Sequence, residues 1–259
     1  MLSNNPNIIL NTANLSIGYP KLVVASDISV EVAKGKLISI LGLNGSGKST
    51  LIRTFAKIQA ALDGEILLHG VDINSYKQNT LAQEMAIVLT EKLPDNLLQV
   101  YELIAMGRQA HTNWFDKLTP LDREKIDFAI EITHTKYLLQ KKFSELSDGQ
   151  RQKVMIAKAI AQDTPIIFLD EPTAHLDVHH RMESFLILKN LAHKYQKTIV
   201  LATHEVGLAS QLADELWLIH NKKLQVGSPR SLIDDNSIGA IFNSDLIHFN
   251  PKTSIFEYK

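Results

Sequence analysis

Nine consecutive residues, Gly42-Leu43-Asn44-Gly45-Ser46-Gly47-Lys48-Ser49-Thr50, combine the groups needed to hold a phosphorylated ligand. Glycines let backbone N–H groups converge on phosphate oxygens, a following helix start adds positive potential, Lys48 supplies a point charge, and the Ser49 hydroxyl can ligate Mg²⁺. Candidate phosphate contacts are therefore Gly42, Asn44, Gly45, Ser46, Gly47, Lys48, Ser49 and Thr50. A random chain of this length matches the spacing only roughly once in a hundred cases. A second run, Ile166-Ile167-Phe168-Leu169-Asp170-Glu171, ends an apolar segment on two carboxylates. Asp170 is suited to hold Mg²⁺ through its waters, and Glu171, pointing to the other side, to orient or deprotonate an attacking water. Taken alone, such a pair also suits a helix cap.

The surrounding elements must bring these groups together. Leu37 to Leu41, Ile166 to Asp170 and Thr198 to Thr203 are short apolar runs, as expected of parallel strands buried on both faces. Between them lie helical stripes: Leu51, Phe55 and Ile58 in one, Phe185, Leu188, Ala192 and Tyr195 in another. Ligands of such open sheets bind at the carboxyl edge of the strands, where both motifs fall. From Ile28 to Val32 apolar and polar residues alternate, which predicts antiparallel sheet near the start. From roughly Pro94 to Ala161 helix signals replace strand signals, with Thr119-Pro120 as N-cap and first residue of a helix that carries Ile126, Ala129, Ile130 and Thr133 on one face. Leu216 to His220 and Lys223 to Val226 flank Asn221-Lys222 as a hairpin, and Leu246 to Phe249 with Ile255 to Tyr258 form another. The fold class expected is α/β, with a mixed sheet, antiparallel strands at the N-terminus and an inserted α-helical subdomain. The core covers about 7–93 and 162–226, the helical part about 94–161, and an extension about 227–259.

Composition narrows the function. Lys plus Arg total 27 against 28 for Asp plus Glu, a net charge of -1, which gives no general attraction to nucleic acid or anionic lipid. Cysteine is absent, which excludes disulfides and thiolate metal sites. No apolar run approaches the roughly 20 residues needed to span a bilayer. Met1 to Pro6 has neither a basic start nor an apolar segment, so no signal peptide is expected and the chain is expected in the cytosol.

Leu146-Ser147-Asp148-Gly149-Gln150 resembles the Leu-Ser-Gly-Gly-Gln signature of ABC ATPases, and locally Ser147 and Gln150 also fit a helix capping box. The two readings agree, since a capped helix start presents free N–H groups to phosphate. The resemblance runs from Ile8 to about Val226. It implies ATP with Mg²⁺, bound between two copies of the chain, with Ser147, Gly149 and Gln150 facing the nucleotide of the opposite copy. Tyr19 resembles the aromatic residue that stacks on adenine, although by itself it reads as half-buried sheet packing. Ala174-His175-Leu176-Asp177 resembles the loop that touches the partner copy, and His204 the histidine that contacts the γ-phosphate. Glu171, His204 and Lys48 are thus the catalytic candidates, and Ser49, Asp170 and Thr90 the metal candidates.

Two positions depart from the family. Thr90, with Glu91 beside it, stands where a glutamine usually reaches Mg²⁺ and water, so either hydroxyl or carboxylate takes that role. Asp148 replaces the first glycine of the signature. At about 8 Å and an effective dielectric near 20, each unit-charge pair with ATP costs roughly 2 kcal/mol, although Asp also suits a first helical turn.

Within the family, Val100 to Arg108, His111 to Phe115 and Leu118 to Glu124 resemble ATPases of iron–siderophore, haem and vitamin B12 importers. Trp114 and Phe115 also read as loop packing. The resemblance implies transmembrane permease subunits as partners, docked on a groove near Thr90 and Glu91, an indirect link to a substrate-binding protein, no nucleic acid, and a peripheral position on the cytoplasmic face of the membrane. Competing readings are a soluble ABC ATPase driving assembly or remodelling, an ABC subunit for another substrate, and a phosphate-loop kinase or GTPase. Among the ten histidines, His175 and His179 have i, i+4 spacing, but no third ligand is evident and His180 is expected on another side of the helix; Mg²⁺ is the only metal expected.

Overall fold

In the computed structural model, residues 6–89, 97–112, 117–174 and 176–259 are described. The chain opens with β1 (Ile8–Tyr19), β2 (Leu22–Ile28) and β3 (Glu31–Ala33), then β4 (Leu37–Leu41), α1 (Lys48–Phe55), β5 (Asp63–Leu68), β6 (Val71–Asp72), α2 (Gln78–Glu84) and β7 (Met85–Val88). Helices α3 (Val100–Ala105), α4 (Pro120–Ile132) and α5 (Asp148–Ala161) follow. The chain then returns through β8 (Ile166–Asp170), α6 (Val178–His193), β9 (Thr198–Ala202), α7 (Val206–Leu212), β10 (Glu215–His220) and β11 (Lys223–Gly227). It ends with α8 (Pro229–Asp234), α9 (Ser237–Phe242), β12 (Ile247–Asn250) and β13 (Ile255–Tyr258).

The central sheet has the order β11-β10-β4-β9-β8-β7 and is parallel except for its β11 edge. Every residue of β4, β8 and β9 is buried, which explains their unbroken apolar runs. Alternation still operates beneath that pattern. Ile38, Ile40, Ile166, Phe168, Val200 and Trp217 face one core with Leu51 and Phe55 of α1; Leu37, Ile167, Leu169, Ile199 and Leu201 face the other, with α3 to α6. The first core is closed on its far side by an antiparallel sheet of order β2-β1-β5-β6, with β3 also paired to β1.

The alternation from Ile28 to Val32 is real in burial but does not form one strand. It spans the end of β2 and the start of β3, because the Thr12 hydroxyl donates to the Ile28 carbonyl at 2.9 Å and accepts from the Val30 N–H at 3.2 Å, occupying backbone groups that a continuous ladder would use. Two helical stripes are also shorter than expected. Ile58 lies beyond α1 and Tyr195 beyond α6, both partly in solvent. The Asn221-Lys222 hairpin forms with both residues at positive φ (48° and 63°), as a tight primed turn requires.

One ion pair holds the helical lobe. Arg108 Nε donates to Asp122 Oδ1 at 2.9 Å, and Nη1 donates to the carbonyls of Ala161 and Gln162, so the guanidinium joins the end of α3 and the start of α4 to the end of α5. Thr119 caps α4 in a capping box with Asp122. Burial alone would lift the Asp122 carboxyl, but hydrogen bonds from Thr119 and Arg108 outweigh it and hold it at about 2.

Candidate functional site

After β4 the chain turns through Gly42 to Gly47 and enters α1 at Lys48. Two glycines are required by space. A Cβ on Gly42 would lie 2.5 Å from Ser46 Oγ and 2.7 Å from the Ile219 carbonyl; one on Gly47, whose φ is 109°, would lie 2.3 Å from Val24 Cγ1. Asn44 and Gly45 form the exposed crest, whereas Thr50 is buried one turn into α1. Ser46 Oγ is buried and has no hydrogen-bond partner among the described residues. An orphaned hydroxyl inside a glycine loop is the kind of group that a bound phosphate satisfies.

Lys48 folds back over this loop. Its Nζ donates to the Gly42 carbonyl at 3.0 Å and the Leu43 carbonyl at 3.4 Å, and lies 3.4 Å from His204 Nε2 and 3.8 Å from Glu171 Oε1. Burial lowers its pKa, while Glu171 and Asp170 oppose that fall without cancelling it.

Alternation along β8 carries Asp170 to the face of Ile166 and Phe168, over which α1 packs. There Asp170 Oδ1 accepts from Ser49 Oγ at 2.8 Å. A serine hydroxyl and a carboxylate are hard oxygen donors that suit Mg²⁺ with its retained waters, so these two residues fit that ion. Glu171 leaves the strand in the left-handed region (φ 51°), unusual for a residue with a side chain, and its N–H still donates to the Ala202 carbonyl. That twist sends its carboxylate toward His204 rather than Ser49. Oε1 of Glu171 lies 2.8 Å from His204 Nε2. Burial pushes the Glu171 carboxyl up, Lys48 pulls it down, and Asp170 and Glu205 add to the rise, leaving it at about 7. His204 is shifted the other way, by burial and by Lys48. A carboxyl poised near neutrality beside a lowered histidine can take a proton from water.

The second constellation stands apart. Ser147 caps α5, accepting from the Gln150 N–H at 3.3 Å while the Gln150 side chain accepts from the Ser147 N–H at 3.2 Å, so the capping box forms. Asp148 is the exposed first residue of the helix, and Gly149 faces Leu176. Ser147 to Gln150 line a groove of about 320 Å³ with Leu176, Asp177 and His180, and no residue of the phosphate loop lines it. Asp177 caps α6 by accepting from the His180 N–H at 2.9 Å. Tyr19 ends β1 and is 51% exposed, so about half of its surface is open to solvent.

Thr90, Glu91, Trp114, Phe115 and His175 lie outside the described residues. Two residues that sequence reasoning missed join the set. Arg181 donates from Nε to the Leu176 carbonyl and from Nη1 to Glu205 Oε1 at 2.9 Å, which ties the loop before α6 to the residue following His204. Only the position of Glu205 beside His204 hints at this in the sequence.

Comparison with known proteins agrees with this geometry. The family described as ABC transporter matches residues 25–174, a span that holds both the phosphate loop and the capped start of α5. An uncharacterised ABC transporter ATP-binding protein of Methanocaldococcus jannaschii is 37% identical, the match covering 97% of this chain and 87% of that protein. The achromobactin transport ATP-binding protein of Dickeya dadantii is 33% identical, over 91% of this chain and 88% of its own length. A solved chain from a transporter assigned to the metal-chelate type, in an inward-facing conformation, superposes with a TM-score of 0.80 at 25% identity, covering 98% of this chain and 97% of that one. With phosphate loop, paired carboxylates and signature helix in the family's order, the chain belongs to the ABC transporter family, as one of its ATP-hydrolysing cassettes.

Proposed function

We propose that this cassette powers an importer of metal chelates, of the siderophore, haem or cobalamin kind. The observation that carries the reading is end-to-end likeness to cassettes whose names specify chelate transport: the achromobactin protein and the metal-chelate type transporter each align with more than nine-tenths of the chain.

In this reading two copies close on two ATP molecules. Phosphates rest on the loop from Gly42 to Thr50, Tyr19 stacks on adenine, and the Ser147 helix tip of the other copy, with Gly149, Gln150 and Asp177, covers the γ-phosphate. The separation of the α5 groove from the phosphate loop within one chain supports this division of labour. Mg²⁺, held by Ser49 and by Asp170 through water, neutralises charge on the phosphate oxygens when bound. Thr90 is assigned to the same ion. Glu171 accepts the proton of the attacking water, His204 holds that carboxylate in position, and Lys48 leaves its loop carbonyls for phosphate oxygens. Hydrolysis then reopens the pair.

Movement passes to a permease through the helical lobe. An apolar groove of about 350 Å³, walled by Leu81, Met85 and Ile87 on one side and Met155 and Lys158 on the other, separates α2 and β7 from α5 and suits a permease loop. No helix among the described residues is long and apolar enough to cross a membrane. In this reading the permease contact holds the cassette at the cytoplasmic face. The test is to isolate the cassette with its permease from membranes, reconstitute it, and present metal chelates with their binding protein. Stimulated ATP turnover by one chelate class supports the reading; a cassette that never co-purifies with a polytopic membrane protein overturns it.

A further inference from the structure

Three side chains at the start of α6 converge although none serves the phosphate loop. One imidazole nitrogen of His179, one of His180 and a carboxylate oxygen of Glu183 lie within 4.8 Å of one another. Adjacent residues on a helix point about 100° apart, which is why the sequence suggests that His180 faces elsewhere. The structure differs: the two rings stand edge to face with centroids 5.6 Å apart, and Glu183 is the i+4 neighbour of one and the i+3 neighbour of the other. Glu183 is the third ligand that spacing of histidines alone did not show.

We propose that His179, His180 and Glu183 bind one divalent transition ion of the zinc class. Two imidazoles and one carboxylate favour zinc, nickel or copper over magnesium or calcium, which prefer all-oxygen sites. The neighbours organise this donor set. His180 Nδ1 lies 2.8 Å from Asp177 Oδ2, an outer carboxylate of the kind that fixes a ligating histidine's tautomer and leaves Nε2 as its basic nitrogen. Lys153 Nζ donates to Glu183 Oε2 at 2.6 Å, which holds the carboxylate still and leaves Oε1 for the ion. The positive end of α6 and the Lys153 ammonium oppose a cation here, and the charges of Asp177 and Glu183 counter both. Access is open, because His179 and Glu183 also line a groove of about 670 Å³ between α4 and α6, so water can complete the coordination. The metal site does not rest on the transport reading, but Asp177 and His180 also line the groove assigned to the opposite copy's nucleotide, so metal binding is read without nucleotide.

The experiment uses the full chain without a histidine tag, free of nucleotide and Mg²⁺. Cobalt(II) is titrated as a visible-absorption probe of coordination, and zinc is then titrated calorimetrically. Wild type takes up one zinc per chain, and His179→Ala, His180→Ala and Glu183→Gln each weaken uptake by at least about tenfold. His134→Ala, an exposed histidine of the same groove, leaves it unchanged. Circular dichroism of each variant checks that the fold is kept. Zinc affinity equal to wild type in the His179→Ala/His180→Ala double variant, or no cobalt band and no zinc heat in wild type at micromolar metal, overturns the proposal.

Discussion

Glu171 Oε1 and His204 Nε2 lie 2.8 Å apart, with the carboxyl raised to about 7 and the imidazole shifted downward. Burial favours the uncharged form of both groups, raising the carboxyl and lowering the imidazole, so Glu171 is the group expected to titrate around neutrality. ATP turnover should rise through about pH 7 as Glu171 ionises. A profile of kcat/KM against pH that is flat across this region would show that Glu171 is not the titrating base.

Glu171→Gln removes the proton acceptor but keeps the shape of the side chain. Turnover should fall by about two to four orders of magnitude while ATP binding persists, trapping a nucleotide-bound pair. Turnover near the wild-type rate, measured by phosphate release, would mean the base is misassigned.

The same raised carboxyl bears on stability. Its folded value, about 7, lies above the ordinary 4.5, so the stability it confers is present below that ordinary value and is lost as pH rises through about 7. The difference amounts to about 3 kcal/mol at most. Glu171→Gln should therefore raise Tm at alkaline pH and leave it nearly unchanged in mild acid. Equal shifts at both pH values would argue against a buried, raised carboxyl.

Asp122 behaves in the opposite sense. Its folded value of about 2 lies below the ordinary 3.8, so its contribution is present above the ordinary value and is lost as pH falls through about 2. Removing its buried partner by Arg108→Ala should cost about 3–5 kcal/mol of unfolding free energy, since a charge is left unpaired. The paired change Arg108→Met with Asp122→Asn should lose less. A loss under about 1 kcal/mol in chemical denaturation for the single variant would mean the pair acts like a surface contact.

Asp148→Gly should leave the fold intact and tighten ATP-driven pairing, because it removes like charge from the helix tip that covers the partner's phosphates. Asp148 is exposed, so salt screens much of the repulsion and the gain should shrink as ionic strength rises. Unchanged or weaker association in sedimentation velocity would refute the repulsion.

Much of this was legible because the chemistry is local. The phosphate loop, the acidic end of β8 and the Ser147–Gln150 cap each lie in one short run, and the buried strands announced themselves by unbroken apolar residues. What could not be read depends on backbone twist and long-range contact. Nothing before Glu171 signals its left-handed φ, and nothing in Arg181 or Glu205 signals that they meet across 24 residues. The Thr12 hydroxyl broke a strand that alternation predicted whole, and Asp177 turned His180 toward His179 where helical periodicity alone sent it away.

Strand β8 pairs in parallel with β7 on one side and β9 on the other without an irregularity in either register. A deletion of one residue between Ile166 and Leu169 would therefore invert the facing of the residues on one side of the cut, and where the start of the strand holds its register it would turn the terminal aspartate away from Ser49. Insertions and deletions should thus be absent from this strand wherever activity is selected, and variation in chain length confined to the turns that bound it.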